Sequence, residues 1–172
     1  TEVIPSFCFD CYKVQILAKN AKTLLYVYFI LRTLSLPRQN TRKIMAETRA
    51  AINNPYKAYI YCESISEAKK IKTLFDVETK SNNISGVSSR ITHGCSEYSQ
   101  KYPDFQYDKE NEIERFDIPE WWLEHDERDE IKLAPELSKA EKKNFISLME
   151  VSSINSLVHY SKAIGDESCA EI

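Results

Sequence analysis

Only three glycines occur in 172 residues, too few for a set of glycine-rich loops cradling nucleotide phosphates. Six prolines, thinly spread, leave no stretch that reads as a rigid proline linker. The longest wholly apolar run, LLYVYFIL at 24–31, falls far short of the roughly 20 residues a bilayer span needs. No transmembrane association is expected. The first residues lack the basic, apolar and small-residue pattern of a signal peptide, so a cytoplasmic chain is expected. Five cysteines, an odd number, match neither a small secreted disulfide scaffold nor a pair of obvious staples. No internal repeat or low-complexity block calls for a solenoid.

What is present suits a soluble globular domain. An apolar share of 42% is ordinary, and the length is ample for a core that needs no disulfide or metal merely to reach a stable size. The formal charge of -3 conceals a division. Residues 1–103 carry a surplus of +7, whereas 104–136 carry -9. A basic body and an acidic segment can face one another, or the body can meet an anion.

The clearest stretch is KAYIYCESISEAKKIKTLF, residues 57–75. Ala58, Ile60 and Cys62 alternate with Tyr59 and Tyr61, which reads as a strand seeking cover on both faces. Ser64 stands three residues before Glu67, the spacing of a reciprocal helix cap, and Ala68, Ile71, Leu74 and Phe75 then form an apolar helical stripe. Residues 76–86 read as a loop. Further strands are expected near 12–17, where Tyr12, Val14 and Ile16 alternate with Lys13 and Gln15, and at 87–93, where Ile91 and His93 share a face. A helix is expected from about Asn20 through Leu34, with a strand as the alternative for Leu25 to Leu31, and a second helix from Pro37 to Ile52 that would set Arg38, Arg42 and Arg49 on one side. From Ser138 the signal is helical again, with Glu141 at the capping spacing and Phe145, Leu148, Met149 and Ser152 on one side. The tail GDESCAEI reads as frayed.

The fold class is therefore α/β, with at least three strands, packing helices and an acidic C-terminal region. Parallel pairing is expected in part, because helical material separates the strands. Three regions are distinguished: a core with an N-terminal cysteine arm at 1–103, an acidic aromatic connection at 104–136, and a helical segment at 137–172 packed on the same domain.

The sharpest chemical pattern is in the cysteines. Cys8 and Cys11 form CFDC, a spacing that can put two sulfurs on one metal or support a dithiol reaction. Cys62 and Cys95 each follow an expected strand, and parallel neighbours would bring those ends together. Four thiolates can hold zinc tetrahedrally or ligate an iron–sulfur cluster, and His93 can replace one sulfur. The bland reading makes Cys62 and Cys95 small core residues and CFDC an inert loop. Cys169 belongs to the tail and is left out of the set.

Three other chemistries compete. A thiol enzyme would use Cys11 or Cys95 as nucleophile with His93 as base. A phosphorylated ligand or nucleic acid would meet Arg38, Arg42, Lys43 and Arg49, with Tyr98, Tyr102, Phe105 and Tyr107 available to stack on bases. A net negative charge and the lack of a complete nucleic-acid module stand against that use. Trp121 and Trp122 lie among carboxylates and His125. They anchor the acidic tract on its own basic body or meet a protein partner. The expectation carried forward is a cysteine-ligated metal centre, structural zinc before iron–sulfur, with a noncatalytic interaction module as the alternative.

Overall fold

The computed structural model describes residues 8, 10–47, 54–93, 119–122, 124–125 and 138–170. In chain order it runs β1 (Tyr12–Ala18), α1 (Ala21–Thr33), β2 (Arg42–Ala46), β3 (Tyr56–Cys62), α2 (Ile65–Ser81), β4 (Val87–His93) and α3 (Lys139–Ala163), followed by a 3-10 turn at Glu167–Cys169. The four strands form one sheet in the order β2-β3-β1-β4. Every hydrogen-bonded pair among them is antiparallel.

The expected parallel pairing is corrected by this order. Helices do connect strands that run the same way, β1 to β2 through α1 and β3 to β4 through α2. Each such pair is split by an inserted strand, β3 in one case and β1 in the other, so every neighbour runs in the opposite sense. This is the split βαβ arrangement of ferredoxin-like folds, which by itself says nothing about activity.

Strand alternation decides which face is covered. Tyr12, Val14, Ile16 and Ala18 of β1 and Tyr56, Ala58, Ile60 and Cys62 of β3 are buried. They meet Ala21, Leu24, Val27 and Leu31 of α1 and Ala68, Ile71 and Phe75 of α2 in one core cluster. Burying an aliphatic or aromatic side chain of this size contributes about 1.5–3 kcal/mol. Among the described residues, the alternation of Tyr59 and Tyr61 is not matched by a second layer of helices, because α1 and α2 both pack on the Ile60 side.

The second expected helix, Pro37 to Ile52, is replaced at its described centre by β2. Ile44 and Ala46 pack against the core as partly buried residues, whereas Lys43 and Met45 occupy the alternate positions. Its Arg42 turns back to the Leu31 and Leu34 carbonyls at the end of α1, so a side chain read as part of a basic helix face instead satisfies free carbonyls. Residues 48–53, including Arg49, lie outside the described residues. The α2 helix continues through 76–81, a stretch read as loop, because buried Thr79 extends the stripe of Ile71 and Phe75 by one turn. Leu74, expected in that stripe, is exposed.

The α3 helix starts at the expected capping box: Ser138 Oγ accepts from the Glu141 N–H, and Glu141 returns the bond to Ser138 N–H. Its anticipated packing side is not buried. Phe145, Leu148 and Met149 are exposed, and only Leu157 and Ser161 of the helix are buried. Contact with the body is concentrated in the C-terminal half, where Tyr160 donates to the Glu47 carbonyl.

The described part of the segment read as frayed, 165–170, is ordered. Gly165, with φ of 76°, ends α3 in the left-handed conformation that glycine adopts without a steric penalty. Asp166 and Ser168 then reach the start of α1. Ala21 N–H donates to Asp166 Oδ2 at 2.9 Å, Lys22 N–H to Ser168 Oγ at 3.2 Å and Thr23 N–H to Asn20 Oδ1 at 2.9 Å. The first turn of α1 contains no acid of its own, so Asp166 supplies the negative charge that a helix N-terminus favours. Cys169 is 2% exposed within the core, which corrects its placement in a loose tail.

Candidate functional site

The sheet end where β1 begins and β3 and β4 finish contains the described cysteines of the anticipated set. Tyr12 pairs with Cys62 on one side and with His93 on the other, so Cys62, Tyr12 and His93 form one row on the helix-covered face. Cys11 directly precedes that row, and its N–H reaches the Cys8 carbonyl at 3.4 Å. Cys11 and Cys62 line the same cavity of about 410 Å³, along with Arg38, Asn40, Tyr61 and Glu63. Cys95 lies outside the described residues, two positions beyond the end of β4.

The anticipated route to this convergence is revised. The ends of β3 and β4 share one end of the sheet because both run opposite to β1, not because they are adjacent parallel strands. Tyr12 stands between them, and His93 stacks on its ring at 4.4 Å between centroids and 23° between planes. Among the described residues, no group of three or more His, Cys, Asp or Glu side chains is arranged to hold a metal ion.

Cys62 is 4% exposed, and its Sγ lies 3.6 Å from the Ile60 carbonyl. Burial, reinforced by the negative charge of Glu67, pushes its thiol up to about 11, against a smaller opposing effect of Arg38. Cys62 is thus protonated at neutral pH in the absence of a metal. A bound cation would have to displace that proton, as metal coordination of thiols does.

A polar network involving Arg38, Asn40 and Glu63 borders the cavity. Arg38 bonds to Glu63, and its Nε donates to Glu67 Oε1 at 3.1 Å. Asn40 Nδ2 donates to both Glu67 Oε1 at 3.0 Å and the Tyr61 carbonyl at 2.9 Å. Burial would raise the Glu67 carboxyl, but donors from Asn40, the Glu63 backbone and Arg38 outweigh it and hold the group below its ordinary range. Hydrogen bonding from Arg38 likewise lowers Glu63. Ser64 caps α2 by accepting from Glu67 N–H at 3.2 Å. Glu67 accepts at 2.8 Å from the N–H of Glu63, one residue earlier than the expected reciprocal partner. Arg38 is therefore engaged by two carboxylates rather than presented on a helix face to phosphate.

Trp121 and Trp122, expected to anchor the acidic tract on the body or to meet a partner, are 56% and 49% exposed. Their rings meet edge to face at 5.7 Å, and Trp121 meets His125 at 5.8 Å. The anticipated stacking residues Tyr98, Tyr102, Phe105 and Tyr107 lie outside the described residues. The face carrying Lys57, Tyr59 and Tyr61 received no role in the sequence reading, although its period-two signal placed those side chains together. What the sequence did not disclose was that neither central helix covers them.

No helix among the described residues is long and apolar enough to cross a membrane. Comparison with protein-family models, with curated proteins and with solved structures yielded no match.

Proposed function

We propose that Cys8, Cys11, Cys62 and Cys95 hold one structural zinc ion at this end of the sheet, and that the protein is a noncatalytic metal-stabilised domain. The observation that carries the reading is the pairing of Tyr12 with both Cys62 and His93, so the start of β1, directly after Cys11, lies between the outgoing ends of β3 and β4. The CFDC spacing and the cavity shared by Cys11 and Cys62 support it.

Four cysteine ligands leave no open position for a reacting water, which is the arrangement of a structural rather than a catalytic zinc site. Zinc would supply charge and cross-linking, joining the arm to the ends of two strands. The donor set also suits an iron–sulfur cluster, whose iron, sulfide and visible absorption distinguish it from zinc. Because the Cys62 thiol is pushed up to about 11, metal retention should weaken as the solution is acidified.

The test is metal analysis of protein purified without added metal, together with its visible spectrum. Roughly one zinc per chain and no visible band are expected. Cys62→Ser and Cys95→Ser should each reduce retention, whereas Cys169→Ser should not. Circular dichroism separates loss of metal from loss of fold. Full zinc retention by either of the first two variants would overturn the shared site.

A further inference from the structure

We propose that the sheet face turned away from α1 and α2 binds single-stranded nucleic acid. Register assembles it from all four strands. One row crosses the sheet as Lys43, Tyr59, Gln15 and Arg90, and the next contains Tyr61, Lys13 and Thr92. A third row holds Met45, Lys57, Leu17 and Ser88. These positions contain four cations and no carboxylate.

The rows place unlike groups in useful positions. Exposed Lys43 and Arg90 stand at opposite edges, while the half-buried rings of Tyr59 and Tyr61 lie on the central strand β3. Arg90 Nε donates to Gln15 Oε1 at 2.7 Å, and Gln15 Nε2 donates to the Tyr59 hydroxyl at 3.3 Å. This chain fixes the amide and holds the edge of the Tyr59 ring. Lys13 Nζ lies 6.0 Å from the centre of the same ring.

The chemistry favours nucleic acid over a simple anion. Cations supply attraction to phosphates, and aromatic faces supply sequence-tolerant stacking for bases. Two positions along a strand separate Tyr59 from Tyr61 by about 7 Å, roughly twice the 3.4 Å rise per nucleotide of a stacked strand. Bases meeting both rings must therefore be splayed apart, which a single strand permits and an intact duplex resists. An acidic peptide would use the four cations and have no comparable need for the two rings.

Fluorescence anisotropy with the full chain can test this face using labelled twelve-nucleotide oligo-dT, oligo-U and a duplex of equal length. Single strands should bind at 50 mM salt and at least tenfold more tightly than duplex. Tyr59→Ala with Tyr61→Ala should weaken binding at least tenfold, consistent with the loss of stacked bases. Lys43→Ala and Lys57→Ala should each flatten the logarithmic salt dependence by about 0.7, the contribution of one phosphate contact on a single strand. Lys43→Glu with Arg90→Glu provides a second test at exposed positions, and it should abolish binding with the circular-dichroism spectrum retained. Absence of single-strand binding at 50 mM salt, equal duplex binding, or unchanged affinity in a folded variant from either double substitution would overturn the proposal. Polyglutamate binding as tight as oligonucleotide binding and insensitive to the tyrosine substitutions would instead identify an acidic-peptide surface.

Discussion

Asp166→Asn should weaken the fold by removing the negative charge at the start of α1 while nearly preserving side-chain shape. Burial alone would raise the Asp166 carboxyl. Hydrogen bonds from the Ser168 and Ala21 N–H groups, with the Tyr56 hydroxyl nearby, outweigh it, bringing the group from 3.8 to about 2. At about 1.4 kcal/mol per pH unit that difference corresponds to roughly 2.4 kcal/mol. Partial exposure of Asp166 reduces the expected effect to about 1.5–2 kcal/mol after allowance for solvent screening. A depressed folded-state pKa contributes fully above the unfolded value near 3.8 and is lost as pH falls through about 2. Wild-type protein should therefore lose this increment between about pH 5 and pH 2, while Asp166→Asn shows a flatter dependence over that interval. Urea unfolding followed by circular dichroism at several pH values measures both quantities. A melting-temperature reduction of about 3–8 °C should accompany the loss near neutral pH. Stability within about 0.5 kcal/mol of wild type at pH 6.5, or parallel losses for both proteins between pH 5 and pH 2, would refute the reasoning.

In metal-free protein, Cys62 should react with iodoacetamide at pH 7.5 at least tenfold more slowly than in urea-unfolded chain, because burial keeps the thiolate scarce. Peptide mass spectrometry resolves the site, and equal rates would contradict its protonated environment. Gly86→Ala should cost about 1–2 kcal/mol in urea unfolding, the usual penalty for a side chain in the left-handed region. Gly86 has φ of 75°, and an added Cβ would lie 2.2 Å from Lys19 Cδ; an unchanged unfolding midpoint would argue against that backbone requirement.

The most legible elements were those whose local signals agreed with their packing. Ala58, Ile60 and Cys62 revealed β3, Ser64 marked the start of α2, and Ser138 with Glu141 marked α3. The β2 strand was obscured because Arg38, Arg42 and Ile44 fit a helical pattern, whereas pairing with β3 makes Arg42–Ala46 extended. Strand direction was equally hidden: helical connections identify co-directional strands, but only tertiary pairing reveals the insertion between them. At the candidate metal site, CFDC and Cys62 were visible as chemistry-bearing residues, while the place of Tyr12 between Cys62 and His93 depended on register. The face was legible as alternating Lys57, Tyr59 and Tyr61, but that α1 and α2 both pack on the other side was not. Asp166 was missed because capping of α1 joins positions separated by 145 residues.

That last connection affects the timing of synthesis. Residues that complete the first turn of α1 leave the ribosome only after all four strands have been made, so the helix must wait for two of its backbone partners. Early intermediates would keep this helical entrance hydrated, and a pause before Asp166 emerges would prolong exposure of the unfinished fold to chaperones and proteases.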